Sequence, residues 1–195
     1  RYLVFGVSQG LGKAITMGLP HQQDEVYGIS RSKPDYLDTN PNIKWISADL
    51  SNPERSVGTV KNVIGNSKVD YLIYNVGIWE ADAFTNAYNF EQISTYEIQT
   101  MMNTNITSCI LHIQSMLANL RQSENAKIIL IGSTWGLENH KGKEVAFSAS
   151  KFALRGIVNA LRENVRKDKI GVSILNLGYL ATEFDLGTDV QTVIE

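Results

Sequence analysis

Short, near-continuous apolar runs alternate along this chain with longer stretches in which apolar residues recur every three or four positions. The runs at 2–5, 25–29, 43–47, 71–74, 127–131 and 171–175 have strand length, and their lack of in-out alternation predicts burial on both faces. The longer stretches at 11–19, 53–64, about 91–120 and 147–166 read as helices. Asn52-Pro53 gives the second of them a capping side chain and a proline at its first position. Strands alternating with helices predict an α/β chain. Its sheet should be parallel and doubly wound, with helices on both faces in three α/β/α layers and one domain over 1–195. Two longer irregular pieces, 77–89 and 178–189, are expected to be functional loops.

Composition narrows the function classes. With 43% hydrophobic and 19% charged residues, the 195-residue chain is ordinary globular material. A net charge of -2, with lysines and arginines scattered, leaves no basic field for nucleic acid. The apolar runs fall far short of the ~20 residues that span a bilayer, so no membrane partner is expected. A single cysteine, Cys109, cannot form an intramolecular disulfide and fits a reducing, cytoplasmic setting. The chain opens at Arg1 almost directly in a strand and stops at Glu195 soon after a loop-like segment. A slightly trimmed start and a missing closing strand are therefore expected.

The most specific local signal follows the first strand. Gly6-Val7-Ser8-Gln9-Gly10-Leu11-Gly12 is a glycine-rich turn opening into a helix, where backbone can approach a pyrophosphate and free N–H groups can bind it. A nucleoside-triphosphate loop would need glycine at Val7 and serine or threonine at Ala14, so a dinucleotide fits better.

The spacing Gly-x-x-x-Gly-x-Gly resembles the short-chain dehydrogenase/reductase family, and further motifs extend the resemblance in the same order. Asp49-Leu50 follows the third strand, and Tyr74-Asn75-Val76-Gly77 is similar to the family's Asn-Asn-Ala-Gly. Asn105 lies within "MNTNITS", Ser133 within "LIGSTWG", and "NLGYLATEF" is similar to the Pro-Gly-x-x-x-Thr turn, with Leu177 in place of proline. The resemblance implies a Rossmann-type fold. It also implies cofactor contacts at Gly6, Ser8, Gln9, Gly10, Leu11, Gly12, Arg31, Ser32, Asp49, Leu50, Asn75, Val76, Gly77, Lys151, Gly178 and Thr182. Sites for NAD carry an acid at the end of the second strand, whereas here Ile29-Ser30-Arg31-Ser32 offers a cation and no acid until Asp35. NADP(H) is the expected cofactor, with NAD(H) possible, because the planar guanidinium of Arg31 can clamp a phosphate.

By the same resemblance, Ser133 polarises a substrate carbonyl, Lys151 holds the nicotinamide ribose and Asn105 anchors a water. The family's proton-donating tyrosine, four residues before the lysine, is Phe147 here. An introduced substitution, another proton source such as Tyr179 or His140, or loss of catalysis each accounts for the ring without its oxygen. Two functions stay open: an oxidoreductase interconverting a small-molecule carbonyl and an alcohol, impaired by Phe147, and a catalytically silent nucleotide-binding sensor or scaffold. Cys109 and His112, one helical turn apart, read as packing rather than a metal pair, and no metal is expected. His21 is expected at a helix end facing solvent. Trp79 and Trp135 are candidate pocket walls, Glu138, Asn139 and His140 candidate substrate contacts, and Tyr179, Phe184 and residues 185–189 a candidate lid. The family's usual interface helices imply a homodimer or homotetramer.

Overall fold

The computed structural model describes residues 1–180. Strands β1 (Tyr2–Phe5), β2 (Val26–Ser30), β3 (Ile43–Ser47), β4 (Tyr71–Tyr74), β5 (Lys127–Ser133) and β6 (Gly171–Leu177) form one sheet in the order β3-β2-β1-β4-β5-β6. Every pairing is parallel, and Tyr2 of β1 stands opposite both Val26 and Tyr71. Winding runs outward from β1 to β3, then returns to β4 and runs to β6. The reversal opens a crevice beyond the carboxyl ends of β1 and β4, where ligands bind in sheets of this kind.

Helices α1 (Gly10–Gly18), α2 (Pro53–Ile64), α3 (Thr95–Met102), α4 (Ser108–Leu120) and α5 (Val145–Asn164) cover the sheet. The larger core lies on one face, where Phe5, Leu72, Tyr74, Ile128 and Leu130 pack with Val60 of α2, Met116 and Leu120 of α4, and Leu154 of α5. On the other face Val4, Val7, Val26 and Ile73 pack with Ile15 of α1. Asn52 caps α2 as its sequence suggests, accepting the Arg55 N–H at 3.4 Å. His21 is exposed beyond α1, with its N–H on Asp24. None of the described helices is long and apolar enough to cross a membrane.

Several expected boundaries are corrected. The helix expected over about 91–120 starts at Thr95, where Ser94 and Glu97 form a reciprocal capping box. It is also interrupted by a π turn, Asn103–Thr107, between α3 and α4. Tertiary bonds hold that turn open: the Tyr74 hydroxyl donates to Thr104 O at 2.6 Å, and the Asn105 amide is tied to Ile78. Strands β5 and β6 run on through Ser133 and Leu177, because those residues still pair with each other. Finally, α5 starts at Val145 rather than Phe147, on caps supplied from other parts of the chain.

Cys109 and His112 are both fully buried on α4, where the imidazole meets the Phe5 ring edge-on at 4.6 Å. Neither ring nitrogen has a hydrogen-bond partner among the described residues. Burial lowers the His112 pKa to about 4 and raises the Cys109 thiol to about 12. Because His112 is neutral when folded but protonates near 6.5 when unfolded, its contribution is intact above pH 6.5 and lost as pH falls toward 4. A shift of this size corresponds to roughly 3 kcal/mol. His112→Leu should flatten that part of the acid destabilisation in urea melts at pH 7 and pH 4.5; an unchanged pH dependence would assign acid sensitivity elsewhere.

Candidate active site

The glycine turn is built by backbone crowding. Gly6 (φ 82°) and Gly10 (φ 54°) occupy left-handed conformations that side chains disfavour. A Cβ on Gly6 would lie 2.4 Å from Asn75 O, and one on Gly12 would lie 1.8 Å from Gly6 O. The Asn75 side chain donates to Gly6 O at 3.1 Å and the Tyr36 hydroxyl to Val7 O at 2.7 Å, which ties the turn to β4 and to the segment after β2. Gln9 caps α1 in extended geometry with no side-chain bond. The first N–H groups of α1 therefore face the crevice, with Ser8 and Gln9 exposed beside them.

Around this turn a cavity of about 620 Å³ is lined by Ser8, Gln9, Gly10, Lys13, Ser32 and Tyr36. Arg31 and Ser32 are exposed at the end of β2, and Arg31 has no ion-pair partner among the described residues. A second cavity of about 360 Å³ brings Arg31 together with Asp49. Asp49 turns back on its own loop, where Oδ1 accepts the Ser51 N–H at 3.0 Å and the Ser51 hydroxyl at 2.8 Å, and Leu50 is buried beneath. Leu11 is half-buried, and Val76 packs on the main core. Gly178 is exposed just after β6, while Thr182, Phe184 and 185–189 lie outside the described residues.

The carboxyl end of the sheet also gathers the residues expected for chemistry. Lys151 of α5 is 5% exposed, with Nζ donating to Ile131 O at 3.4 Å and standing 5.4 Å from the centre of the Phe147 ring. Burial lowers its pKa to about 8. Gly77 is what lets the amine approach, since a Cβ there would lie 2.8 Å from Nζ. Ser133 closes β5, and its Oγ accepts the Trp135 N–H at 3.2 Å.

Asn105 of the π turn is fully buried. Its Oδ1 accepts the Ile78 N–H at 2.9 Å, while Nδ2 donates to Ile78 O at 2.8 Å and to Ser150 Oγ at 3.0 Å. Both amide protons are engaged by protein, so the side chain fastens the π turn, the loop after β4 and α5 together. The His140 ring stacks on Trp135 at 6.2 Å with Nδ1 accepting the Gly142 N–H, and Tyr179 is 72% exposed. Glu138 and Asn139 are exposed in the same connection.

Two carboxylates were not anticipated from sequence. Glu80, 2% exposed, accepts the N–H groups of Ala146 and Phe147 on Oε1 at 2.8 and 3.2 Å and so caps α5 from 66 residues away. The Tyr88 hydroxyl takes the neighbouring Val145 N–H. Glu144 accepts Phe84 N–H at 2.9 Å and Trp135 Nε1–H at 2.7 Å. Burial pushes its carboxyl pKa up, but these donors outweigh burial and hold it below the usual range. The local trace of the Glu80 role is an acid beside Ile78, Trp79 and Ala81, whereas Glu144 follows Lys141 and Lys143 and carries no such trace.

Comparison with known proteins is consistent along nearly the whole chain. The family model for short chain dehydrogenase matches residues 1–190. Carbonyl reductase family member 4 of Xenopus tropicalis is 29% identical over 97% of this chain and 79% of its own length. The 3-oxoacyl-[acyl-carrier-protein] reductase FabG of Buchnera aphidicola is 28% identical over 93% of this chain and 73% of its own. Among solved structures, a short-chain dehydrogenase from Streptomyces avermitilis superposes with a TM-score of 0.81 at 25% identity, covering 94% of this chain and 66% of that one.

Proposed function

The chain belongs to the short-chain dehydrogenase family, and from that premise we propose that it is an NADP(H)-dependent oxidoreductase interconverting a carbonyl and an alcohol by hydride transfer. The observation that carries this reading is Lys151: a buried ammonium brought against Gly77, beside Phe147, at the end of the sheet that Ser133 closes. The cradle fits a dinucleotide, since Gly6 and Gly12 stand where any Cβ would collide with backbone and α1 presents free N–H groups. When bound, the reduced nicotinamide supplies the hydride. Ser133 orients the carbonyl with its hydroxyl, and Lys151 holds the ribose. Asn105 and Glu80 fix α5 and with it the Phe147–Lys151 pair. Phe147 stands at the proton donor's position without an oxygen, so the proton that must reach the alkoxide comes from no side chain now identified.

We assign the phosphate of NADP(H) to the guanidinium of Arg31, which has no ion-pair partner among the described residues. Solved relatives with NADP or NADPH bound, a metagenomic oxidoreductase and the carbonyl reductase of chicken fatty liver, share the fold at 20% and 21% identity. Arg31→Ala should weaken NADPH binding by at least about tenfold while changing NADH little, since charge-assisted bonds to phosphate are the stronger kind. Equal losses for both cofactors, measured by titration, would remove Arg31 from this role.

The missing phenol favours a second reading, a silent nucleotide-binding protein. NADPH consumption with a panel of aldehydes and ketones separates the two: the oxidoreductase reading expects slow but saturable turnover that Lys151→Ala abolishes, and complete inactivity in the presence of bound NADPH favours the silent protein.

A further inference from the structure

The substrate side of this site is walled by aromatic rings from three separate elements. Trp79 and Phe84 come from the loop after β4, Trp135 from the turn after β5, and Phe147 from α5. Phe84 is the hub: its ring meets Trp135 at 5.3 Å, Phe147 at 5.4 Å and Trp79 at 5.6 Å, each time edge-to-face. Trp79 adds an edge-to-face contact with Phe147 at 6.3 Å.

Two features show that Phe84 is placed rather than merely packed. Its backbone is left-handed, at φ 66°, a conformation rare for bulky side chains and met mostly where surrounding structure imposes it. Glu144, 4% exposed, anchors it there, taking the Phe84 N–H on one oxygen and the Trp135 indole on the other. Yet this pinned ring is 47% exposed and its neighbour Trp79 57%. Such an arrangement holds apolar ring surface open to solvent, continuous with Phe147, instead of burying it.

Resting on the oxidoreductase reading above, we propose that Phe84 is the specificity-determining residue of this site and that the substrate is a carbonyl compound bearing a flat aromatic ring. The ring of the substrate would join the edge-to-face set beside Phe84 and Trp79, bringing its carbonyl toward Ser133 and the Phe147–Lys151 pair. Glu144 is a positioning residue in this arrangement.

Calorimetric titration with 1-phenyl-1,2-propanedione and its cyclohexyl counterpart, with and without NADPH, tests the inference. The two ligands differ in ring planarity and π character but hardly in size. The phenyl compound should bind about tenfold more tightly, near the upper end of what one aromatic pair contributes. Phe84→Leu should bring the ratio close to one with NADPH affinity unchanged, and Glu144→Gln, which keeps the ring but loosens its anchor, should reduce the ratio in the same direction. A native ratio near one overturns the proposal whatever the variants do, as does a ratio that Phe84→Leu leaves intact. Failure of NADPH to bind in its own titration refutes the cofactor reading instead, because ring preference is read independently of it.

Discussion

Replacing Phe147 with tyrosine should raise NADPH-dependent carbonyl reduction by about 10²- to 10⁴-fold, the usual contribution of a positioned general acid. The ring is already held on all sides: Met101 and Ala146 are buried with it, Ile78, Ile98 and Met102 pack around it, and Glu80 fixes its backbone N–H. Phe147 is 6% exposed, and its ring lies within reach of the Lys151 ammonium. A phenol placed there would gain an oxygen beside a buried cation, which favours the phenolate and makes the group a better acid. The rate of the variant should fall above about pH 8, where Lys151 loses its proton. Progress curves for wild type and variant across pH 6 to about 10 check both parts. A Phe147→Tyr protein that folds, binds NADPH and turns over no faster than the parent would mean that the neighbouring groups are not a working reductase site.

The second large effect concerns Gly12. Alanine there would set a methyl group 1.8 Å from Gly6 O and 2.8 Å from Asn75 Nδ2, both fixed parts of the turn. Relief requires moving the loop that binds pyrophosphate, so Gly12→Ala should cost ~1–3 kcal/mol of stability and remove most cofactor affinity. Gly58 is the internal control. It lies in α2 with nothing within 4 Å of its imagined Cβ, so Gly58→Ala should be neutral or stabilise by ~0.5–1 kcal/mol. Urea melts paired with NADPH titrations of both variants give the comparison; equal behaviour of the two would dismiss the steric account of the turn.

The strands β1, β3 and β4 and the helix α2 begin and end where the hydrophobic pattern places them, because their limits are local. Gly6 ends β1, Asn52 and Pro53 start α2, and the runs of β1 and β4 are buried on both faces; β3 is the edge strand, and there the expected two-sided burial fails, with Lys44 and Ser47 exposed. The placement of the glycine turn, Ser133 and Lys151 at the carboxyl ends of the strands follows for a related reason, since the spacing of a few adjacent residues carries it. What escaped is long-range. The π turn depends on Tyr74 and Ile78 reaching residues Thr104 and Asn105, and the start of α5 depends on Glu80 from the far end of another loop. For Asn105 the sequence shows a polar residue on a helix, and only the fold reveals that Ile78 and Ser150 take up its side-chain amide. Phe84 carried no signal of its own: a left-handed backbone is written into sequence by glycine or asparagine, and here a phenylalanine holds it with its N–H on the distant Glu144.

The central claim is that this crevice holds a nicotinamide dinucleotide against Lys151. Calorimetric titration with NADPH, run on the parent protein and on Lys151→Met, tests it most directly. The account predicts saturable binding of one NADPH per chain in the parent and at least about tenfold weaker binding in the variant, with unfolding midpoints in urea close together. No saturable heat from the folded parent, or identical affinities in the two proteins, would contradict it.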